Sequence, residues 1–202
     1  MDKKKMLMLE QAGFVFLKYG IKSVTMDDMA RELGISKKTL YVHFKDKNDL
    51  VSQIIQGKIA QDQMACQSNS SCAENAIDEL LHVNRFVSEM MNDIHPSVFY
   101  DLKKFHQDAW KLLHDHKWEF VFNTILSNIL RGKEEGLYRQ EIKEEIIAAA
   151  YVASTDLILN GDIFSKSEYK SHEVFEEILH FQLSGMVNEK GLKYLKQRIH
   201  KS

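Results

Sequence analysis

The stretch ARELGISKKTLYVHF, Ala30 to Phe44, decides how this chain is read. One helical pattern closes on Leu33-Gly34 and another opens on Ser36, so two short helices are joined by a turn of about three to four residues containing glycine. Ala30 is small enough to let the second helix cross closely, and Gly34 gives the turn its backbone freedom. Leu33, Ile35 and Leu40 fill the angle between the helices. Left outward on the second helix are Lys37, Lys38, Thr39, Tyr41 and His43. That set matches the chemistry of a duplex: lysines for phosphate or guanine, Thr for phosphate or a thymine methyl, Tyr and His for the backbone.

The flanks support a compact helical unit. Met6, Leu9, Phe14, Phe16 and Leu17 give an apolar stripe for a first helix, which Gly20 stops. Thr25 with Asp28 forms a capping-box pattern in which Asp replaces the usual Glu. Met29, Ala30 and Leu33 are the buried face of that second helix, and Ser36 caps the third. Asp46 caps a long fourth helix through Leu50, Ile54, Ile55 and Ile59, so an amino-terminal unit (1–50) runs into the body (51–202) without a flexible linker.

Composition bounds the rest. The chain has 202 residues, 44% apolar and 28% charged, with one proline, which describes a globular protein able to bury a real core. Alternating strand patterns are nearly absent, so the chain reads as all-α. The net charge of −2 hides an asymmetry: residues 1–58 hold 11 Lys/Arg against 7 Asp/Glu, and residues 59–202 hold 16 against 22. A basic amino-terminal third on an acidic body points one end toward a polyanion. The start lacks a secretory h-region, and the most apolar run, IIAAAYVAS, is too short to span a bilayer. Cys66 and Cys72 form neither a disulfide framework nor a zinc pattern. The expectation is a cytoplasmic protein with no cofactor and no membrane contact.

In the body, the stretch 67–75, QSNSSCAEN, is expected to be a mobile loop. Helices are expected near 73–92, 96–116 (broken once), 117–135, 141–160 and 171–189, with Pro96 in the first turn of its helix. The 141–160 helix is apolar nearly all round, so it must be covered on more than one side. The last helix carries two stripes, Val174–Ile178–Phe181–Gly185 and Phe175–Leu179–Gln182–Met186. These two helices from each chain are expected to form a four-helix dimer interface using Ile146, Ala150, Val174, Ile178, Phe181 and Gly185. Aromatic and Met residues in the middle of the chain can line a pocket, with Phe86, Met90, Phe105, Trp110, Trp118, Phe122 and Tyr151 as candidates. Few buried charges are expected, hence a mostly apolar ligand. His106, His114 and His116 are poorly spaced to chelate a metal, and no nucleophile–base pair marks an enzyme.

Phe16, Gly20, Thr25, Ala30, Gly34, Ile35, Ser36, Thr39, Leu40, Tyr41, His43, Phe44, Lys47 and Leu50 resemble, in order and spacing, the amino-terminal domain of the TetR family of transcriptional regulators. The resemblance covers about residues 6–55, and the segment Gly136–Ile142 also looks like the family. It implies a three-helix helix-turn-helix domain followed by a helical dimerisation and effector domain, about nine helices in all. It also implies a homodimer on palindromic double-stranded DNA, usually a repressor released by a small effector. Thr25, Tyr41 and Lys47 look like phosphate contacts, while Ser36, Lys37, Lys38, Thr39 and His43 lie on the recognition side. Lys38 stands where the family often has a small residue, so base preference does not carry over. A ligand-blind or protein-regulated DNA-binding dimer is the alternative.

Overall fold

In a computed structural model, residues 3–92, 94–95, 97–159 and 169–199 are described. Eleven α-helices follow one another among them: α1 (Lys3–Tyr19), α2 (Met26–Glu32), α3 (Lys37–His43), α4 (Lys47–Cys72), α5 (Ala76–Asn92), α6 (Val98–Phe105), α7 (Gln107–His116), α8 (Phe122–Glu134), α9 (Glu144–Leu159), α10 (Ser171–Met186) and α11 (Glu189–Ile199). Lys117–Val121 is a π-helical turn, and Tyr138 and Val187 form an isolated antiparallel bridge. The all-α reading holds.

The chain divides into two compact units that do not follow a single cut: residues 1–63 with 93–116, and residues 64–92 with 117–202. In the first unit Met8, Ala12 and Phe16 of α1 pack with Met29 and Ala30 of α2, Leu40 and Phe44 at α3, and Leu50 and Val51 of α4. Val98 and Leu102 of α6 and Ala109 of α7 belong to the same core. The α1 stripe is only partly the expected one: Leu9 and Phe16 are buried, but two of its other members are not. Ala12 is fully buried, whereas Met6 is exposed and Phe14 is 66% exposed. Size misleads here, because the close approach of α1 to its neighbours selects alanine for the inner line.

Two glycines of the first unit are required by the backbone. Gly20 adopts φ +81°, and a Cβ there would meet Ser97 Oγ at 2.6 Å. The segment after 94 therefore sits directly on the α1–α2 turn: His95 N–H donates to Leu17 O at 2.7 Å, and Lys22 N–H donates to the buried Asp101 carboxylate at 2.8 Å. Gly34 adopts φ +64° with open space around it, so only its conformation demands glycine.

The second unit is centred on Ile77 and Leu80 of α5, Ile125 and Ile129 of α8, Val152 of α9, and Leu179 and Leu183 of α10. Tyr138 lies over Gly132, and its hydroxyl donates to Asn128 Oδ1 at 3.0 Å. Asn128 in turn donates to Ala76 O and Glu79 Oε2.

Several expectations are corrected. The stretch 67–75 is not a loop throughout: α4 continues to Cys72, and only a short turn follows before Asn75 Oδ1 caps α5 through the N–H groups of Ile77 and Asp78. Serine and asparagine disfavour a helix interior by only about half a kcal/mol each, so a few of them do not end a helix. The helix count exceeds nine because the 96–116 element breaks at His106 and because α11 was not foreseen. Asn188 starts α11, its carbonyl accepting from Leu192 N–H and its Oδ1 from Gly191 N–H. Charged side chains are also more buried than expected, Asp78, Glu79 and Asp101 among them. Each is paired: Asp78 with Arg198, Glu79 with Arg131, and Asp101 with a backbone N–H. Pro96, Asn160 and Gly161 lie outside the described residues.

Candidate DNA-binding surface

The reading helix is set by its two ends. Ser36 Oγ accepts from Thr39 N–H at 3.0 Å and also bonds the Thr39 hydroxyl at 2.8 Å, fixing where α3 begins. Leu40 and Phe44 are fully buried and fix which face turns inward. Helix α2 is capped by the expected box. Asp28 N–H donates to Thr25 Oγ1 at 3.1 Å, and Thr25 N–H donates back to Asp28 Oδ2 at 3.1 Å. Both Thr25 donors, first the hydroxyl and then the backbone N–H, hold the Asp28 carboxyl below its ordinary range. At the start of α4, Asp46 Oδ1 accepts from Asp49 N–H at 2.8 Å, as the capping pattern predicts.

The side chains expected to touch DNA share this first unit. Ser36, Lys37, Lys38 and Tyr41 are exposed; Thr39 and His43 are half-buried. Lys37 is not idle: its Nζ lies 2.7 Å from Asp27 Oδ1 on α2, and that hydrogen bond raises its pKa. Lys47 is half-buried, with its ammonium 5.8 Å from the centre of the Phe16 ring and 3.5 Å from Lys22 O. Burial pushes its pKa down, against the pull of Asp101 and Asp28. Behind it, buried His106 pairs through Nδ1 with Asn48 Oδ1 at 2.6 Å. Neither His106 nor Asp101 was singled out as part of this arrangement from sequence. Their signal, polar residues within an apolar frame 50 residues or more downstream, is visible only once the chain is folded.

Val42 was also missed. It is 74% exposed on α3, and a search for outward polar residues passes over it.

The seven pocket candidates are divided between the two units. Trp110 packs against the core of the first unit, and Phe105 is exposed with Lys22 Nζ 4.9 Å from its ring centre. Trp118, Phe122 and Tyr151 belong to the core of the second unit or pack on it, with the Tyr151 hydroxyl donating to Asn84 Oδ1. Phe86 and Met90 are half-buried on α5. A surface depression in the second unit is lined by residues such as Tyr138, Val187 and Leu192, none of them a candidate. Among the described residues no group of three or more His, Cys, Asp or Glu could hold a metal ion, and no helix is long and apolar enough to cross a membrane.

Of the residues expected at a dimer interface, Ile146 and Ala150 face out from α9, continued by Ala153 and Leu157 at helical spacing. Phe181 is 78% exposed on α10 and Gly185 is open. Ile178 is half-buried. Val174 departs from this set, since it is buried within its own unit.

A capped helix-turn-helix with its second helix presented to solvent defines a DNA-binding regulator. Residues 9–54 match the model of the bacterial regulatory proteins of the tetR family. The chain is 24% identical over 180 residues to the uncharacterized HTH-type transcriptional regulator YvaF of Bacillus subtilis (strain 168), covering 89% of this chain and 90% of that one. Over 47 residues, 23% of this chain and 25% of the relative, it is 47% identical to an HTH-type transcriptional regulator of Staphylococcus aureus (strain USA300). Its fold matches a TetR-family transcriptional regulator from Agrobacterium tumefaciens (TM-score 0.74, 14% identity, 92% of this chain and 98% of that chain). It also matches a Saccharomonospora viridis protein in complex with choline (TM-score 0.74, 17% identity, 94% and 100%). Residues 9–54 thus carry the helix-turn-helix of the tetR family of bacterial regulatory proteins.

Proposed function

We propose that the chain is a one-component repressor that binds a palindromic operator as a homodimer and is released by a small, mostly apolar effector. The observation that carries the DNA-binding part is the outward face of α3, with Lys37, Lys38 and Tyr41 around a helix seated on Leu40 and Phe44. Residues 1–50 do the DNA binding, with Thr25, Tyr41 and Lys47 on phosphates and Lys37, Lys38, Thr39 and His43 toward the groove. Residues 51–202 carry dimerisation and effector sensing. The exposed apolar line Ile146–Ala150–Leu157 and the open Phe181 and Gly185 support α9 and α10 as the dimer faces.

Two copies of α3 must sit about 34–36 Å apart, or a multiple of it, to enter successive major grooves on one side of a duplex. Effector binding shifts α4 and spoils that spacing, which couples the two sites. The choline complex of a structural relative supports small-molecule sensing in this fold. Selection of random duplexes on the purified protein is the test. An enriched inverted repeat is expected, and enrichment of unrelated or asymmetric sequences would refute the palindrome. A ligand-blind dimer is separated by native mass spectrometry of protein purified without added ligand.

A further inference from the structure

Helix α3 turns by about 100° per residue, so residues two positions either side of the inward Leu40 point opposite to it. Those residues are Lys38 and Val42. They form the crest of the helix, with Lys37 and Tyr41 on one flank and Thr39 and His43 on the other. Val42 is 74% exposed, more than any other large apolar side chain described in the first unit. A branched apolar residue is an odd occupant of such a place. It supports a helix less well than lysine or glutamate would, and most of its surface lies outside its own core.

The surroundings decide what this isopropyl group meets. A protein partner is held by a contiguous apolar patch of a few hundred Å². Val42 is instead isolated on α3 among Lys38, Thr39, Tyr41 and His43, all polar or polar-tipped. Phosphates and base edges are polar as well. The apolar feature that a major groove offers at this scale is the 5-methyl group of thymine.

We propose that Val42 is a specificity-determining residue whose isopropyl group packs on a thymine methyl once in each half-site. Lys38, one turn earlier on the same crest, then lies over the neighbouring base pair or its phosphate. The inference rests on the DNA-binding reading above and adds the base that the crest selects. Cytosine methylated at C5 carries the same group in the same place, so it substitutes for thymine in the methyl contact.

The experiment uses the full-length protein and the inverted repeat recovered by duplex selection. Each thymine is replaced in turn by deoxyuridine, which keeps every hydrogen-bonding edge and removes only the methyl. At one position per half-site the replacement is expected to weaken binding about fourfold, and at both half-sites together about fifteenfold. Val42→Ala is expected to bind the thymine and deoxyuridine duplexes alike, and Val42→Ile to retain the preference. Its exposure means that substitution leaves the melting temperature unchanged, which thermal unfolding verifies. The proposal is overturned if no thymine position responds, or if Val42→Ala keeps the wild-type ratio. Failure to bind any duplex would remove the DNA-binding reading itself, and this inference with it.

Discussion

Lys37 Nζ lies 2.7 Å from Asp27 Oδ1, so the first residue of the reading helix is tied to the first turn of the helix before it. Both side chains are more than half exposed, which makes the pair worth little to stability. Its weight falls on binding instead. A lysine already paired with a carboxylate must share or leave that partner to meet a phosphate, and Asp27 adds a negative charge beside the approaching backbone.

Asp27→Asn is therefore expected to tighten operator binding by about two- to fivefold, the range open to an exposed pair of this kind. Fluorescence anisotropy on the selected duplex measures it. Lys37→Ala and Lys38→Ala are expected to weaken binding and each to lower the salt slope by about one. A slope unchanged by both substitutions would remove the lysines from the duplex contacts.

Asp101→Ala strips the Lys22 N–H of its acceptor in a site where the carboxylate is only 4% exposed. A loss of about 1–3 kcal/mol is expected, read by chemical denaturation. Gly20→Ala strikes the same contact from the other side, combining a left-handed φ with a clash on Ser97 Oγ, and should lose at least as much. Wild-type stability in either variant would mean that the 95–101 segment does not brace the turn.

His106 gives a pH dependence with a definite sign. Burial, then the nearby Lys47, pushes its pKa below the ordinary 6.5, with Asp101 pulling weakly upward. The unfolded chain thus takes up a proton at a pH where the folded chain does not, and stability falls as pH drops through about 6.5. The melting temperature should decline between about pH 7.5 and 5.5, and His106→Gln should flatten part of that decline. His116, also lowered by burial, accounts for a remaining slope of the same sign.

Phe181→Glu and Ile146→Glu place a charge on side chains that are exposed in the single chain. Both variants are expected to keep their helical circular dichroism and to sediment as monomers at micromolar concentration, where the parent is expected to be a dimer. A dimer that survives both would move the interface away from α9 and α10.

Much of the first unit was legible because local chemistry fixes it. Ser36, Thr25 and Asp46 each cap a helix through a neighbour three residues on, and such bonds need no knowledge of the fold. Leu40 and Phe44 declare the inner face of α3, and the polar outer face follows. What escaped depends on distance in sequence. Asp101 reaches Lys22 across 79 residues and His106 reaches Asn48 across 58, pairings that no periodicity announces. Val42 escaped for a different reason, since an apolar residue in a short helix is ordinarily assigned to the core. Helix α11 was hidden because its start at Asn188 follows α10 almost without a gap.

The core of the first unit draws Val98, Leu102 and Ala109 from a part of the chain well beyond the family's shared segment. A chimera that exchanged only residues 9–54 with a relative would leave those three side chains facing a foreign surface. Operator preference in this protein should thus move between homologues by recoding the crest of α3, not by transplanting the segment whole.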